Sequence, residues 1–566
     1  MPIPARRSRL ALLPDYISRF TLSLTPWSCA LFLIALTVAL PILVVLSYIF
    51  VPTEGVWQHL ASTVLSRYLS NTFWLVLWVG LGTLIIGAGS AWLVVMCRFP
   101  GKRIFEWALL LPLAVPTYVI AYAYTDFLQV AGPLQSALRG WFNWQYGDYY
   151  FPNVRSLGGA ATLITFVLYP YVYLLARASF LEQSVCVLDV GRTLGRGPWH
   201  LFASVALPLA RPALVGGVSL VLMETLNEFG AVQFFGVDTF TTGIYRTWFG
   251  LGEPVAAAQL AACLLTFVIV LVLLERFSRG KRRYFHTTNR YQQLPEYRLH
   301  GWRALGATLA CLLPIVIGFL LPSGILLNLA IHQGDALLGT RFIRFATNSL
   351  SLATVAALIA VGLAVLLSYG VRLHNSPGAR LFTRVAAMGY AIPGSVVAVG
   401  ILIPFAWLDS TLNTWLHAHY GKIIGLVFSG SAFILIYAYI VRFLAVSFNA
   451  VEASLGKVTP NMDAASRTLG QTAGGTLRRI HTPLMRSSLL AAGILVFVDV
   501  MKELPATIIL RPFNFDTLAV RAYSLASDER LAEASTASLA IVVVGILPVI
   551  LLSLAMRRAR PGSHAQ

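Results

Sequence analysis

Arg192-Thr193-Leu194-Gly195 returns as Arg467-Thr468-Leu469-Gly470, 275 positions later, and each copy lies in a polar stretch that leads into an apolar one. The register extends well beyond these four residues. Adding 275 also takes Val205 to Ile480, Pro208 to Pro483, Arg211 to Arg486 and Glu228 to Glu503. Upstream the spacing is 277, which takes Asn71 to Asn348, Pro100-Gly101 to Pro377-Gly378, Arg103 to Arg380, Phe105 to Phe382 and Pro116 to Pro393. Chance alignment of apolar sequence yields scattered Leu and Val matches, whereas matched Pro, Gly, Arg and carboxylate positions indicate duplication. A duplicated membrane half with a repeated polar loop predicts an assembly about a pseudo-two-fold axis, with its path near that axis.

Composition sets the solvent of this chain. Of its 566 residues 57% are hydrophobic and 11% charged, with mean hydropathy +0.73, far more apolar than a soluble protein of this size. The formal charge of +19 would suggest nucleic acid in a soluble protein. Here the basic residues cluster in short segments between apolar runs, which marks topology and anionic lipid, and argues against nucleic acid. The five cysteines, Cys29, Cys97, Cys186, Cys263 and Cys311, are far apart and form no CxxC, so they read as packing residues, neither disulfides nor zinc ligands.

A span needs about 20 apolar residues to cross about 30 Å of hydrocarbon. Twelve candidates fit an all-α polytopic protein: roughly 27–50, 70–96, 105–130, 159–179, 213–236, 255–275, 303–330, 347–370, 382–407, 423–446, 487–510 and 533–556. No cleavage site follows the basic N-terminal segment, and the first span is expected to be retained. Arg6, Arg7 and Arg9, the cluster Arg98, Lys102 and Arg103, the run from Arg276 to Arg283, and Arg557, Arg558 and Arg560 all fall on one side of twelve crossings. That side is expected to be the cytoplasm, with both termini in it, in a bacterial inner membrane. The expected organisation is a cytoplasmic segment 1–26, a first half 27–275, a basic linker 276–302, a second half 303–556 and a tail 557–566.

Within each half a polar loop separates the fourth and fifth spans, at about 183–212 and 458–487. Its pattern is a short helical stretch, a glycine, nine residues, an aliphatic residue, and a proline three further on. In the first half these positions are Asp189, Arg192, Thr193, Leu194, Gly195 and Pro208; in the second, Ala464, Ala465, Arg467, Thr468, Leu469, Gly470 and Pro483. The glycine permits a turn that a side chain would hinder, and the proline suits the first turn of the next helix. This spacing resembles the EAA loop of the permease subunits of ATP-binding-cassette (ABC) importers, and that resemblance implies a coupling helix that docks on an ATPase subunit. The match is not complete: the leading Glu-Ala-Ala is Asp189-Val190-Gly191 in one half and Ala464-Ala465-Ser466 in the other, and Thr482 replaces a leucine before Pro483. The sequence has no G-x-x-x-x-G-K-[ST] phosphate loop, so the reading assigns ATP and Mg to a partner and no cofactor to this chain.

The fifth spans carry a second repeated signal. Glu224 and Glu228 map to Asp499 and Glu503, two carboxylates four residues apart in each half, which on a continuous helix would share one face. Counted from Pro212 at about 1.5 Å per residue, they would lie about 18 and 24 Å into a span of about 30 Å. Acidic groups at such depth cost roughly 2.5–3.5 kcal/mol on insertion scales, so they are expected to face the bundle interior or a water-filled vestibule. There they line a cation path as transient contacts, without a stable metal site, or form ion pairs with Lys502, Arg246 and Arg521, or are solvated at helix ends. Carboxylate oxygen suits hard cations such as Fe3+.

The surrounding residues resemble the permeases of periplasmic-binding-protein-dependent iron(III) importers: Glu224-Thr225-Leu226-Asn227-Glu228-Phe229-Gly230 and the stretch from Thr239 to Trp248 in one half, Lys502-Glu503-Leu504-Pro505-Ala506-Thr507 and the stretch from Leu510 to Ala519 in the other. The resemblance covers roughly 70–275 and 347–556. It implies a type I importer fold, a periplasmic ferric-binding protein and two cytoplasmic ATP-binding subunits driving alternating access. Thiamine or another small solute is the rival cargo. An ion-coupled secondary transporter is the rival class, and an enzyme finds no nucleophile and base pair or HExxH to support it.

Overall fold

The structure, a computed structural model, describes residues 26–53, 55–181, 197–279, 296–334, 339–374, 376–456 and 458–558. The regular structure of the described residues is helical apart from one two-residue parallel ladder, in which Cys97 and Arg98 pair with Tyr297 and Arg298. Among the described residues eleven helices are long and apolar enough to span a membrane, and a bent pair makes a twelfth. They are α1 Trp27–Phe50, α2 Leu65–Met96, α3a Lys102–Ala114 with α3b Thr117–Phe142, α4 Leu157–Leu181, α5 Phe202–Asn227 and α6 Pro254–Glu275. The second set is α7 Trp302–Gln333, α8 Thr340–Leu373, α9 Gly394–Tyr420, α10 Ala432–Leu455, α11 Ala473–Met501 and α12 Leu531–Leu551. The four described cysteines are unpaired.

The duplication is visible in the irregularities, where local chemistry has no freedom to agree by accident. The third span bends by 90° at Val115 and Pro116, because a residue before proline is pushed out of the helical region and Val115 is extended. In the second half the order repeats: a helix Pro377–Ala386, a tight turn Gly389–Ala391, Pro393, then α9. A π-helical turn occupies Phe202–Ala206 in α5 and Leu477–His481 in α11, 275 positions apart.

These π turns revise the expected place of the prolines. Pro208 and Pro483 do not open the fifth spans; each is the second residue after a π turn, inside a helix already running. Proline has no N–H for the carbonyl four residues back, and a turn of wider pitch just before it lets the helix pass without a break.

Contacts divide the chain into two compact units. The first takes the described residues up to Val44 with Ser351–Tyr390 and Gly400–Val500; the second takes Val45–Leu350, Ala391–Val399 and Met501–Gln566. The halves 27–275 and 303–556 are thus units of repetition, and packing follows another division. The reason is an exchange of first spans. In the first unit α1 lies on second-half helices: Tyr437 donates its hydroxyl to Thr37 O (2.7 Å), and a Cβ on Gly400 would strike the Pro41 backbone. In the second unit α7 lies on first-half helices, with Tyr124 donating to Ile317 O (2.7 Å) and a Cβ on Gly318 striking Phe166 O. Small residues let the backbones approach where lipid supplies no hydrophobic drive between helices.

Candidate functional site

The second-half loop is a helix, Pro460–Thr468, ended by Gly470 at φ +74°. Gln471 N–H donates to Ser466 O (3.1 Å) and Gly470 N–H to Arg467 O (3.0 Å), the paired bonds of a Schellman motif, which calls for glycine in the left-handed position. Ala464, Ala465, Arg467, Thr468 and Gly470 are exposed, and Leu469 is exposed to 79%. The loop therefore presents an apolar tip beside a cation. In the first half Asp189, Arg192, Thr193, Leu194 and Gly195 lie outside the described residues.

Beneath the second loop sits an ionic clamp that no motif announces. Asp463 accepts from Arg372 Nε (2.8 Å) and pairs with Nε2 of the fully buried His481 (2.7 Å), while Arg372 also donates to Leu455 O and Val458 O, both at 2.8 Å. Burial pushes the Asp463 carboxyl up, but the bonds from Arg372 and His481 outweigh it and hold the group below the usual carboxylate range. The three residues are 91 and 18 positions apart, so no local spacing announces them.

The repeated carboxylates mark helix breaks. Asn227 ends the helical part of α5, Glu228 is extended at φ −63° and ψ 125°, and a short helix Gly230–Phe234 follows. Likewise α11 ends at Met501 and a short helix Pro505–Leu510 follows. Glu224 with Glu228, and Asp499 with Glu503, therefore do not share a continuous helix face as expected; the backbone turns between them. The depth changes too: α5 begins at Phe202, and 22 residues at about 1.5 Å place Glu224 about 33 Å along it, near its C-terminal end. Glu224 and Asp499 are half-buried.

Glu228 and Glu503 instead cap the helices that follow. Glu228 accepts from Ala231 N–H (2.8 Å) and from the Thr117 hydroxyl at the start of α3b. Glu503, 4% exposed, accepts from Ala506 N–H and Thr507 N–H, both at 3.0 Å, and from the Thr507 hydroxyl at 2.6 Å. Ala231 and Ala506 are again 275 apart. A carboxylate on first-turn amides satisfies donors that the helix leaves open and meets the positive end of its dipole. Asn227 Oδ1 takes the Gly394 amide that opens α9 (2.7 Å), so breaks from both halves meet in the second unit. Among the described residues no three His, Cys, Asp or Glu side chains are placed to hold a metal ion.

Beyond the breaks a second repeated contact fixes the segment after each fifth span. Asn71 donates to Asp238 O (2.9 Å) and Asn348 to Asp516 O (3.1 Å). Arg67 and Arg246 hold the Asp238 carboxylate at 3.3 and 2.9 Å; Arg344, the counterpart of Arg67, donates to Asn514 O (2.7 Å), and Arg511 pairs with Asp516. The asparagine repeat carried this signal in the sequence. Asp409 carried none: fully buried in α9, it accepts from Val427, Phe428 and Ser429 amides and so folds the following loop.

Residues 83–283 match the family model described as binding-protein-dependent transport system inner membrane component. The Fe(3+)-transport system permease protein FbpB 2 of Haemophilus influenzae is 25% identical over 497 residues, covering 86% of this chain and 90% of that protein. The ferric transport system permease protein FbpB of Actinobacillus pleuropneumoniae is 23% identical, over 83% of this chain and 68% of that one. The molybdenum transport system permease protein ModB of Escherichia coli is 28% identical over 34% of this chain and 82% of its own. A solved bacterial ABC transporter involved in the import of alginate aligns with 45% of this chain and 96% of its own at 17% identity and a TM-score of 0.34. Likeness to ferric permeases thus runs through both halves and the inner-membrane-component match lies across the first, so the chain is similar to the permeases of binding-protein-dependent importers.

Proposed function

We propose that this chain is the permease of an ATP-driven importer and carries ferric iron, received from a periplasmic ferric-binding protein and moved to the cytoplasm by alternating access. The observation that carries the cargo is the extent of likeness: relatives named for Fe(3+) or ferric transport align over 83–86% of the chain, and so over residues of both halves. The molybdenum and 2-aminoethylphosphonate permeases align over 34–37% of it. Two ATP-binding subunits dock on the loops, one on Asp189, Arg192 to Gly195 and Pro208, the other on Ala464, Ala465, Arg467 to Gly470 and Pro483. ATP and Mg belong to those subunits, both termini are cytoplasmic, and the basic segments face the anionic inner leaflet.

The mechanism follows from the breaks. A discontinuous span bends at fixed points, and capped ends let it bend without leaving amides bare in the membrane. Motion received at the loop passes along α5 or α11 to the break at its far end. The Asp238 and Asp516 contacts close the outward side, and Glu224, Glu228, Asp499 and Glu503 give the path a field that favours a cation.

The test is uptake of radiolabelled ferric ion by proteoliposomes holding this chain with its ATPase and binding protein. The expected result is accumulation that needs both partners and persists when ion gradients are collapsed. Uptake by this chain alone, or loss of uptake on adding ionophore with ATP maintained, would place it among ion-coupled carriers. Competition by thiamine at equal strength would replace the cargo and leave the class.

A further inference from the structure

Two phenols at the first-half break are buried and make no hydrogen bond among the described residues: Tyr118, 3% exposed, and Tyr122, 1% exposed. They lie one turn apart on α3b with ring centroids 5.8 Å apart. Ser395, which stands 277 positions after Tyr118 at the start of α9, is 2% exposed and its hydroxyl is likewise unpartnered. An unsatisfied buried hydroxyl costs about 1–3 kcal/mol. Stability alone would favour Phe at the two tyrosines.

The neighbourhood of these hydroxyls is built rather than incidental. Gly230 makes room for the Tyr118 ring: a Cβ there would sit 2.6 Å from Tyr118 Cβ and 2.9 Å from Leu504 Cδ2. Glu228 and Glu503, each at the end of its own fifth span, are both charge neighbours of the Tyr118 phenol, and Tyr122 has Tyr118, Tyr523 and Glu228 around it. Asn227 holds the amide of Gly394, next to Ser395. Phenol, hydroxyl and carboxylate are all hard oxygen donors, the set a small, highly charged cation prefers.

We propose that Tyr118, Tyr122 and Ser395 form a transient oxygen-donor site for a hard trivalent cation at the meeting of the breaks, under the negative field of Glu228 and Glu503. The site rests on the ferric reading above and says where in this chain the cargo is held. On binding, each ligating phenol exchanges its O–H bond for an O–metal bond and gives one proton to water. Both carboxylates stay engaged as helix caps, so few donors are free to ligate and the ion can leave, as a carrier requires.

The experiment uses the full chain with its ATPase partner in nanodiscs, titrated with ferric nitrilotriacetate, alongside iron uptake by the same preparation in liposomes. Wild type should develop a visible ferric–phenolate absorption band. Tyr118→Phe with Tyr122→Phe should abolish the band and weaken apparent iron binding by about tenfold or more, the scale on which even outer-shell changes alter metal affinity. The same variant without iron should melt no lower than wild type, since it loses only hydroxyls that bond to nothing. A preparation that imports iron yet shows no band, or a double variant that keeps both band and uptake, overturns the site and leaves the ferric reading standing. A fall in the iron-free melting temperature would make the phenols structural and overturn it as well. Wild type that imports another solute and no iron takes down both.

Discussion

Around the starts of their fifth spans, the two halves are held by opposite chemistry. In the first half Trp92 packs on Phe180 and Phe202 with ring centroids 5.8 and 5.0 Å apart. The repeat turns these three into Tyr369, Leu455 and Leu477, which share one small apolar cluster. Two aromatic rings have become leucines, and the Arg372, Asp463 and His481 clamp stands beside them, where the first half has Val95, Leu188 and Ala206. Tyr369 joins the two systems, its ring 5.4 Å from His481 and its hydroxyl on Ala473 O at 2.7 Å. One half fixes the base of the span by apolar area, which has no direction and no dependence on pH. The other uses charge-assisted hydrogen bonds, which fix orientation and depend on protonation. At the breaks, by contrast, Glu228 and Glu503 cap their helices through amides 275 positions apart. Duplication has left the breaks alike and let the bases diverge.

The largest effect should come from the aromatic base. Trp92→Ala should cost about 3–5 kcal/mol of stability, as deletion of a buried indole does, and thermal melts in nanodiscs should show the same loss at pH 5 and pH 7. A loss under about 1 kcal/mol would mean that the three rings do not bear the first half. Next comes Arg372→Met, which leaves Asp463 and His481 facing each other without their cation and should cost roughly 2–4 kcal/mol. Adding Asp463→Leu and His481→Ala, the residues of the first half, should recover part of that loss, because an apolar base is a workable alternative; a triple variant weaker than the single one would break the comparison. The sign with pH is fixed: a carboxyl held below its ordinary value stabilises fully above about pH 4, the unfolded value. That contribution fades as pH falls through the folded value. Protease cleavage near 456–470 should therefore rise in acid in wild type and be flat in the triple variant.

At the breaks, Glu503→Gln keeps one acceptor for three donors and should cost about 1–2 kcal/mol, with Glu503→Ala nearer 3. Glu228→Gln should cost less, since Glu228 is half-buried, and the double Gln variant should assemble yet import iron more slowly. Equal uptake would confine both residues to capping. Smallest is Asp238→Asn, which loosens exposed Arg67 and Arg246 and should change stability by about 1 kcal/mol or less. A larger loss there than at Glu503 would make the Asp238 contacts, and not the breaks, the firmer part of the repeat.

Much of this was legible in residue order. The 275 and 277 registers gave the duplication and the number of spans, because apolar length and matched Pro and Gly are properties of the chain itself. Gly470 could be placed at a turn because only a residue without Cβ takes φ +74° freely. The four acidic positions were found by the same register. Their arrangement is not legible there, since i, i+4 spacing carries a face only while a helix continues, and nothing between Glu224 and Glu228 announces that the backbone turns.

The sequence by itself determined that this chain is a duplicated, all-helical membrane protein with two polar loops and two carboxylate pairs. Hydropathy, proline and glycine act within a few residues of where they stand. Only the tertiary structure decided that each first span packs on the other half, that Glu228 and Glu503 cap helices, and that Arg372, Asp463 and His481 form one clamp. Those outcomes depend on which backbones approach and which donors are left open after the helices form, and residues 18, 91 or 400 positions apart meet only then.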